Sequence, residues 1–401
     1  MIPVGAIFLL QGTPMDFELS QAQQSIVEAI GKLCQDFDDA YWLERDRTGT
    51  YPRELHSALA KGGWLGITMP VEYGGSGLGV TEAALMMRAL AGAGGMSAAS
   101  AIHINLFGPH PIVVHGTDDQ RQRWLPPLIA GTDMTCFGVT EPDAGLDTSR
   151  IKTFARRTSS GYVVSGQKIW TSTAQHANRI MLLARTTARE DVTKKTHGLS
   201  LFYTALDRAR IEVRRIDKMG RPAVDSNQLF IDNLEIAEAD RIGEEGRGFE
   251  YLLDSLNPER ILIGIEAVGI GQDAIRRAAN YARERIVFDR PIGQNQGIQH
   301  PLAESWMELE AAALMAMQAA WLYDNGRPCG PQANSAKFLG AEAAFRACTR
   351  AVKTHGGMGY AKEFHVERLL RESLVPVLVP VSSQMILNYI AERVLGLPRS
   401  Y

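Results

Sequence analysis

The chain has 401 residues, of which 45% are hydrophobic and 22% are charged, and its formal net charge is −3. This composition is typical of a folded globular protein and excludes an intrinsically disordered chain. The slightly negative charge argues against a general nucleic-acid or anionic-membrane binder, and the length predicts two or three domains.

The N-terminal segment and the cysteines bear on where the protein works. Residues 2–10 are apolar but too short to span a bilayer, and no basic segment precedes them, so we expect neither a signal peptide nor a membrane anchor. Met15 begins a more natural start, which makes residues 1–14 a loose extension. The four cysteines form no C-x-x-C pair, so we expect reduced thiols, no metal site and a cytoplasmic protein.

Helical periodicity dominates residues 16–130, where Ser20 is the expected N-cap of the first helix. Residues 131–242 are instead β-like. Short runs rich in β-formers and bounded by turn residues predict strands at 162–170, 180–184, 199–203, 211–213 and 228–231. No helix-length pattern separates these runs, which favours a small antiparallel sheet over βαβ units.

Residues 243–401 return to long helical patterns. Four segments joined by short breaks predict an antiparallel bundle, namely 247–287, 297–325, 331–356 and 364–396. The expected fold class is therefore mixed but mainly α, with domains at 16–130, 131–242 and 243–401.

Several motifs that could indicate other chemistry lack the required context. The glycine-rich loop at 74–79 lies between helices and does not follow a strand, which argues against a Rossmann fingerprint. His110 and His115 have no further ligand beside them, which favours structural histidines over a metal site. No G-x-S-x-G segment supports an esterase.

Two segments of the middle region are better candidates for ligand contact. Residues 137–145 combine small residues, a hydroxyl and a turn, so backbone N–H groups there can approach an anionic or carbonyl-rich ligand. Residues 170–172 place an aromatic plane beside hydroxyls, which suits a flat heterocycle. Taken alone, each segment is more often ordinary core and turn.

Together, and in this order, the segments resemble the acyl-CoA dehydrogenase family over residues 16–398. The resemblance is carried by Val139-Thr140-Glu141-Pro142-x-Ala144-Gly145-x-Asp147, Gly166-Gln167-Lys168-x-Trp170-x-Ser172, Lys218-Met219-Gly220, Glu284-Arg285-x-x-Phe288-x-x-Pro291-Ile292 and His355-Gly356-Gly357-Met358-Gly359-Tyr360. It implies an N-terminal helical domain, a middle antiparallel β-barrel-like domain and a C-terminal four-helix bundle. It also implies FAD as cofactor, an acyl-CoA substrate, an electron-transferring flavoprotein as acceptor, and a homotetramer or dimer.

The resemblance also implies which residues contact FAD. Trp170 and Ser172 match positions that cover the isoalloxazine ring and hydrogen-bond near its N5 atom, and other positions reach the FAD of a neighbouring subunit. The cofactor-binding positions are Phe137, Val139, Thr140, Trp170, Ser172, Arg285, Phe288, Gln296, Gly356, Gly357, Ser382 and Gln384. Arg260 matches an arginine beside the active site, where it would contact substrate.

The glutamate that most of the family uses as a base is replaced. Its position falls on Pro380, which cannot accept a proton. Isovaleryl-CoA dehydrogenase and some other members supply the base from the first long helix of the bundle, and the matching residue here is Glu259. Pro258 predicts a helix break or first turn that aims this side chain inward. A surface or ion-pair role is the structural alternative for Glu259, and rival carboxylates lie at Glu363, Glu367 and Glu372.

The expected reaction is the α,β-dehydrogenation of an acyl-CoA thioester, in which Glu259 removes the α-proton and the flavin N5 takes the β-hydride. Two alternatives stay open at this point. Pro380 permits a non-catalytic partner subunit, and the loss of the usual glutamate also permits a flavin monooxygenase on the same fold.

Overall fold

The computed structural model describes residues 17–400, so the extension expected at 1–14 lies outside the described residues. Helices come first, strands follow, and helices return to the end of the chain. The mixed, mainly α fold with this order of regions is confirmed, whereas the domain boundaries stay a prediction.

The first region is helical. Its helices are α1 (Gln21–Cys34), α2 (Asp39–Thr48), α3 (Arg53–Lys61), α4 (Val80–Phe107), α5 (His110–His115) and α6 (Asp118–Ile129). The predicted cap at Ser20 is confirmed, because its hydroxyl accepts the Gln23 N–H at 3.2 Å while the Gln23 side chain accepts the Ser20 N–H. This capping box fixes the start of α1.

Helix α4 is kinked at Gly95, whose φ of 76° lies in the left-handed region. A Cβ at this position would meet Glu372 Oε2 at 2.6 Å. The Glu372 carboxylate accepts the Ser97 N–H at 3.0 Å and the Ser97 hydroxyl at 2.6 Å, and Arg368 donates to the Gly94 carbonyl at 3.0 Å. A buried ion pair therefore caps the second half of α4, residues 96–107.

The second region is a sheet of eight strands. They are β1 (Thr135–Gly138), β2 (Phe154–Arg157), β3 (Gly161–Ser172), β4 (Arg179–Arg185), β5 (Leu199–Ala205), β6 (Ile211–Arg215), β7 (Ser226–Ala237) and β8 (Arg241–Ile242). All five predicted strands are present. The strand order is β6-β7-β3-β2-β4-β5-β8, with β1 also paired to β4.

The sheet differs from the expected architecture in two ways. Strands β1 and β2 both run parallel to β4, so a purely antiparallel sheet was wrong. The described strands also form an open path with no pairing between β6 and β8, which is not a closed barrel. Parallel pairings require non-local connections, and the alternation of apolar residues within a strand does not reveal them.

The third region is again helical. Its elements are α7 (Gly248–Glu284), a hairpin of β9 (Ile286–Val287) and β10 (Arg290–Pro291), α8 (Gln296–Asp324), α9 (Gly330–His355), α10 (Val366–Leu378) and α11 (Ser383–Arg393). The first three long segments match the predicted ones closely. The predicted single helix at 364–396 is instead two helices, because the backbone leaves helical geometry at residues 379–382 around Pro380.

One stretch of the described chain, Val366–Arg393, is long enough to cross a bilayer and contains an 18-residue window that is apolar enough, with a mean hydropathy of 1.5. This stretch was not predicted from the sequence. The structure divides this stretch into α10 and α11, and α10 packs against α7 and α9.

The two helical regions share one apolar core. Helix α7 packs against α4, α8 and α9, and the largest cluster of buried side chains joins residues from both ends of the chain. Its members include Ile30 and Leu90 from the first region and Ile265, Ala316 and Ala336 from the third. The strands therefore interrupt, in sequence, a helical body that is continuous in space.

Candidate active site

Trp170 owes its exposure to a bulge in β3. The pairing of β3 with β7 shifts register between Lys168 and Thr171, and Trp170 has a φ of 61°. Bulges re-aim side chains and are frequent beside active sites. The Trp170 side chain is consequently 56% exposed although it lies in the middle of the sheet region. The buried Thr171 hydroxyl beside it has no hydrogen-bond partner among the described residues.

A buried ion pair holds the segment 139–141 against β3. Lys168 Nζ donates to the Val139 carbonyl and to Glu141 Oε1, both at 3.0 Å, and the Ile169 N–H donates to the Thr140 carbonyl at 2.9 Å. Lys168 and the N–H groups of residues 152 and 153 keep the pKa of Glu141 below its usual value, although burial acts in the opposite direction. The predicted flavin-contacting Val139 and Thr140 are therefore fixed beside Trp170.

Phe137 links the sheet to α4. Its ring, partly buried at the end of β1, lies 5.2 Å from that of Phe107 in a T-shaped arrangement, and Phe107 in turn lies 4.9 Å from His103. These contacts place the second half of α4 next to the strands that carry Val139 and Trp170.

Glu259 lies in α7 and is buried. It forms no hydrogen bond or ion pair with any residue that the structure describes. Burial raises its pKa to about 7, while the positive charges of His103 and Arg260 act in the opposite direction. A carboxyl group poised near neutrality without a fixed partner has the properties of a general base.

Pro258 does not begin or break the helix, so that expectation was wrong. It lies inside α7, which runs on for more than six turns beyond it. Because proline has no N–H, the Asp254 carbonyl loses its usual intrahelical donor at this point. Packing of α7 against α4 and α9 maintains the helix across this gap.

A second buried carboxylate lies near Glu259 and was not predicted. His103 Nδ1 is 2.6 Å from Glu266 Oε1, and the other oxygen of Glu266 is buried without a partner in residues 17–400. Burial lowers the pKa of His103, but the charges of Glu266 and Glu259 outweigh that effect and raise it. The sequence signal was the recurrence of polar residues at 97, 100 and 103 in an alanine-rich helix, a spacing of three that marks one helix face.

Arg260 follows Glu259 but faces a different set of neighbours. Its Nη1 donates to Asn257 Oδ1 at 3.2 Å, and its Nε is buried without a partner in the described part of the chain. Burial lowers its pKa, and the charges that act on it come from Glu259, Tyr389 and Cys329. The predicted substrate contact of Arg260 stays a prediction.

The positions expected to serve a neighbouring subunit's FAD lie at the other end of α7. Arg285 ends the helix about 39 Å along its axis from Glu259. Tyr281, one turn earlier, stacks on His355 at 4.3 Å and so brings Gly356 towards Arg285. The members of this distal group are all exposed: Arg285, Phe288, Gln296, Gly356 and Gly357.

The two predicted contacts near the chain end lie at the start of α11. The Ser382 hydroxyl accepts the Met385 N–H at 3.3 Å and so serves as the N-cap of this helix, whereas Gln384 is exposed. Their predicted contact with the nucleotide stays a prediction.

The residues around β3 fit a flat aromatic cofactor. The bulge exposes one large ring that the apolar core does not use, and the hydroxyls of Thr171 and Ser172 lie beside it. In the distal group, a Cβ on Gly356 or Gly357 would meet nothing within 4 Å, so a ligand can approach the backbone closely. These features suit FAD.

Comparisons with known proteins agree with this geometry. Family models of the acyl-CoA dehydrogenase N-terminal, middle and C-terminal domains match residues 20–132, 136–234 and 246–395. The acyl-CoA dehydrogenase fadE12 of Mycobacterium bovis is 35% identical over 97% of this chain and 100% of its own.

Solved structures give the same result. Butyryl-CoA dehydrogenase from Megasphaera elsdenii is similar with a TM-score of 0.90 and 29% identity, covering 95% of this chain and 100% of its own. An FAD complex of PigA has a TM-score of 0.89 and 26% identity, covering 96% and 100%. The chain belongs to the acyl-CoA dehydrogenase family of oxidoreductases.

Proposed function

We propose that the chain catalyses FAD-dependent α,β-dehydrogenation of an acyl-CoA thioester, with Glu259 as the base that removes the α-proton. The observation that carries the proposal is the state of this carboxyl group. It is buried, free of hydrogen bonds to the described residues, and has a pKa raised by burial to about 7. At neutral pH a substantial fraction of such a carboxyl group is ionised and can accept a proton. Its raised pKa also stabilises the protonated form that results.

Each of the rival carboxylates is either hydrogen-bonded to other residues or exposed. Glu372 accepts from Ser97 and Arg368 at the kink of α4, and Glu367 pairs with Arg371 at 2.7 Å. Glu363 is exposed in the short helical turn before α10. Because Glu259 alone of these four is both buried and unpartnered, it is the best supported base.

The chain's own residues divide the remaining tasks. When bound, FAD supplies the hydride acceptor. Trp170 would cover its ring, Ser172 would hydrogen-bond near its N5, and residues 137–140, which Lys168 holds in place, would lie along it. The apolar walls from Phe107 and Phe137 exclude water, which strengthens the electrostatic interactions within the site.

Assembly and partners are part of the same proposal. The distal group is exposed in the single chain, with Phe288 93% exposed, and nearby Tyr360 is 89% exposed, as expected if a second copy covers this surface and shares its FAD. We therefore propose a homotetramer or dimer, with the C-terminal helices arranged as the family's four-helix bundle. An electron-transferring flavoprotein would accept the electrons, and the four free, buried cysteines suit a cytoplasmic protein.

The test is anaerobic mixing of the FAD-loaded protein with acyl-CoA thioesters. We expect the visible absorbance of the flavin to bleach with at least one short, branched, long or ring-bearing thioester. Glu259→Gln should slow bleaching about 10²- to 10⁴-fold while FAD stays bound. The exposed Glu363→Gln is the matched control and should bleach at the wild-type rate.

Other outcomes would support the alternatives. Tight FAD binding without bleaching by any thioester, unless a second chain is added, would indicate a non-catalytic partner subunit. A flavin that must first be reduced by another donor before it reacts with O₂ would indicate a monooxygenase. Near-normal bleaching by Glu259→Gln would remove this residue from its role.

A further inference from the structure

Four buried or partly buried polar side chains that the proposed reaction does not use form two hydrogen-bonded pairs, which we call the polar row. This polar row consists of Ser100, His103, Arg221 and Glu266. Arg221 Nη1 donates to Ser100 Oγ at 2.8 Å, and His103 contacts Glu266 at 2.6 Å. Ser100 and His103 are three residues apart on the second half of α4, so they lie on one helix face.

Arg221 is the unusual member of the row. Its φ of 54° is a left-handed conformation that non-glycine residues rarely adopt, and such strain concentrates at functional sites. Besides Ser100, its guanidinium reaches Ser172 Oγ at 3.4 Å, and its Nε is buried with no acceptor from any described residue. Among the described residues it forms no ion pair with a carboxylate.

The acidic residues near Arg221 form their hydrogen bonds with other residues, although one oxygen each of Glu266 and Asp225 is buried without a hydrogen-bond partner among the described residues. Glu372, Glu266 and Asp225 act on Arg221 only through their more distant charges. Glu372 binds Ser97 and Arg368, Glu266 binds His103, and Asp225 accepts the N–H of Gln175 and the Asn227 amide. A desolvated cation without an ion-pair partner is unfavourable, so an anion from outside the chain would be strongly stabilised there.

The His103–Glu266 pair of the polar row lies near Glu259, and Arg221 at the other end contacts Ser172. Glu259 and Glu266 are seven residues, or about 10 Å, apart on nearly the same face of α7. Ser172, at the other end, belongs to the proposed FAD-binding strand. We take the acyl chain to run from Glu259 past Glu266 towards Arg221, because the charges of Glu259 and Arg221 both act on His103 and that of Glu266 acts on Arg221.

We propose that Arg221, with Ser100, binds a carboxylate at the far end of the acyl chain, so that the substrate is the CoA monothioester of a dicarboxylic acid. The guanidinium fork matches a carboxylate in geometry and charge. A plain hydrocarbon chain would instead leave the Arg221 Nε–H buried without an acceptor. This inference rests on the proposed function, because it assigns the substrate class of the same site.

The experiment compares pairs of thioesters of equal chain length, with and without the terminal carboxylate. Adipyl-CoA and hexanoyl-CoA form one pair, and the comparison extends from five to ten carbons. We expect the wild-type enzyme to have the higher kcat/KM for the dicarboxylic member at one or more lengths. Arg221→Gln should lower that value about 10- to 100-fold and leave the uncharged member within about threefold. Arg156→Gln, an exposed arginine of β2, is the control and should change neither.

The outcomes separate this inference from the proposed function. Bleaching by uncharged thioesters alone would keep the dehydrogenase and overturn the role of Arg221. An equal loss of kcat/KM by Arg221→Gln for both members of each pair would also overturn the role of Arg221, since that pattern indicates a structural residue. Arg221→Gln could instead change the reduction potential of the flavin and leave the preference between the two thioesters of a pair unchanged. That result would show that the positive charge of Arg221 acts on the cofactor, and it would refute carboxylate binding. Variants are first checked for bound FAD by their visible spectrum.

Discussion

Replacing Lys168 by methionine tests whether the buried pair with Glu141 holds the flavin-contacting segment. The Lys168 side chain has no exposed surface, and its ammonium donates to two oxygens at 3.0 Å. Removing one partner of a buried pair typically costs about 3–5 kcal/mol, because the remaining charge stays desolvated. With about 2.1 cal/mol/K of unfolding entropy per residue over 401 residues, that loss lowers Tm by roughly 4–6 °C.

The assay is thermal unfolding of the apoprotein together with titration of FAD. Lys168→Met should also weaken FAD binding, since residues 139–141 lose their anchor on β3. The double variant Lys168→Met/Glu141→Gln should recover part of the Tm loss, because no unpaired charge then remains. A Tm change below about 1 °C in Lys168→Met, with normal FAD affinity, would refute the reasoning.

Three further outcomes follow from the site and the kink. Below pH 7, kcat/KM should fall about tenfold per pH unit as Glu259 becomes protonated, and a flat profile would argue against its role. Because its folded pKa lies above the unfolded value of 4.5, wild type should lose stability relative to Glu259→Gln as pH rises from about 4.5 to 7, which urea titrations would measure. Trp170→Ala should weaken FAD binding in equilibrium dialysis without lowering the Tm of the apoprotein, since its ring is exposed. Gly95→Ala should destabilise by about 1–3 kcal/mol or more in urea unfolding, because its Cβ would meet Glu372 and Arg368.

The sequence predicted most helices and strands because their signals are local. The cap at Ser20, the strands of the middle region and the first three long helices of the third region were all visible as periodic patterns with terminal residues. The break at Pro380 was visible too. Pro380 was interpreted only as the replacement of a catalytic glutamate, although proline also ends helices.

The polar row could not be predicted in the same way. Arg221 immediately follows the Lys218-Met219-Gly220 motif, but its contact with Ser100 joins residues 121 positions apart. Likewise His103 and Glu266 meet only because α4 packs on α7. The parallel pairing of β1 and β2 with β4 depends on the path of the chain, which side-chain periodicity does not encode.

The core that α1–α4 share with α7–α9 affects how the protein is made. A ribosome adds about 5–20 residues per second, and 141 residues separate Phe107 from Gly248. The apolar face of α4 therefore waits on the order of 7–28 s before α7 even begins to emerge. During that interval the nascent chain exposes surface that only its own later half can cover. We expect its yield in cells to depend on chaperones that hold the first hundred residues until synthesis is complete.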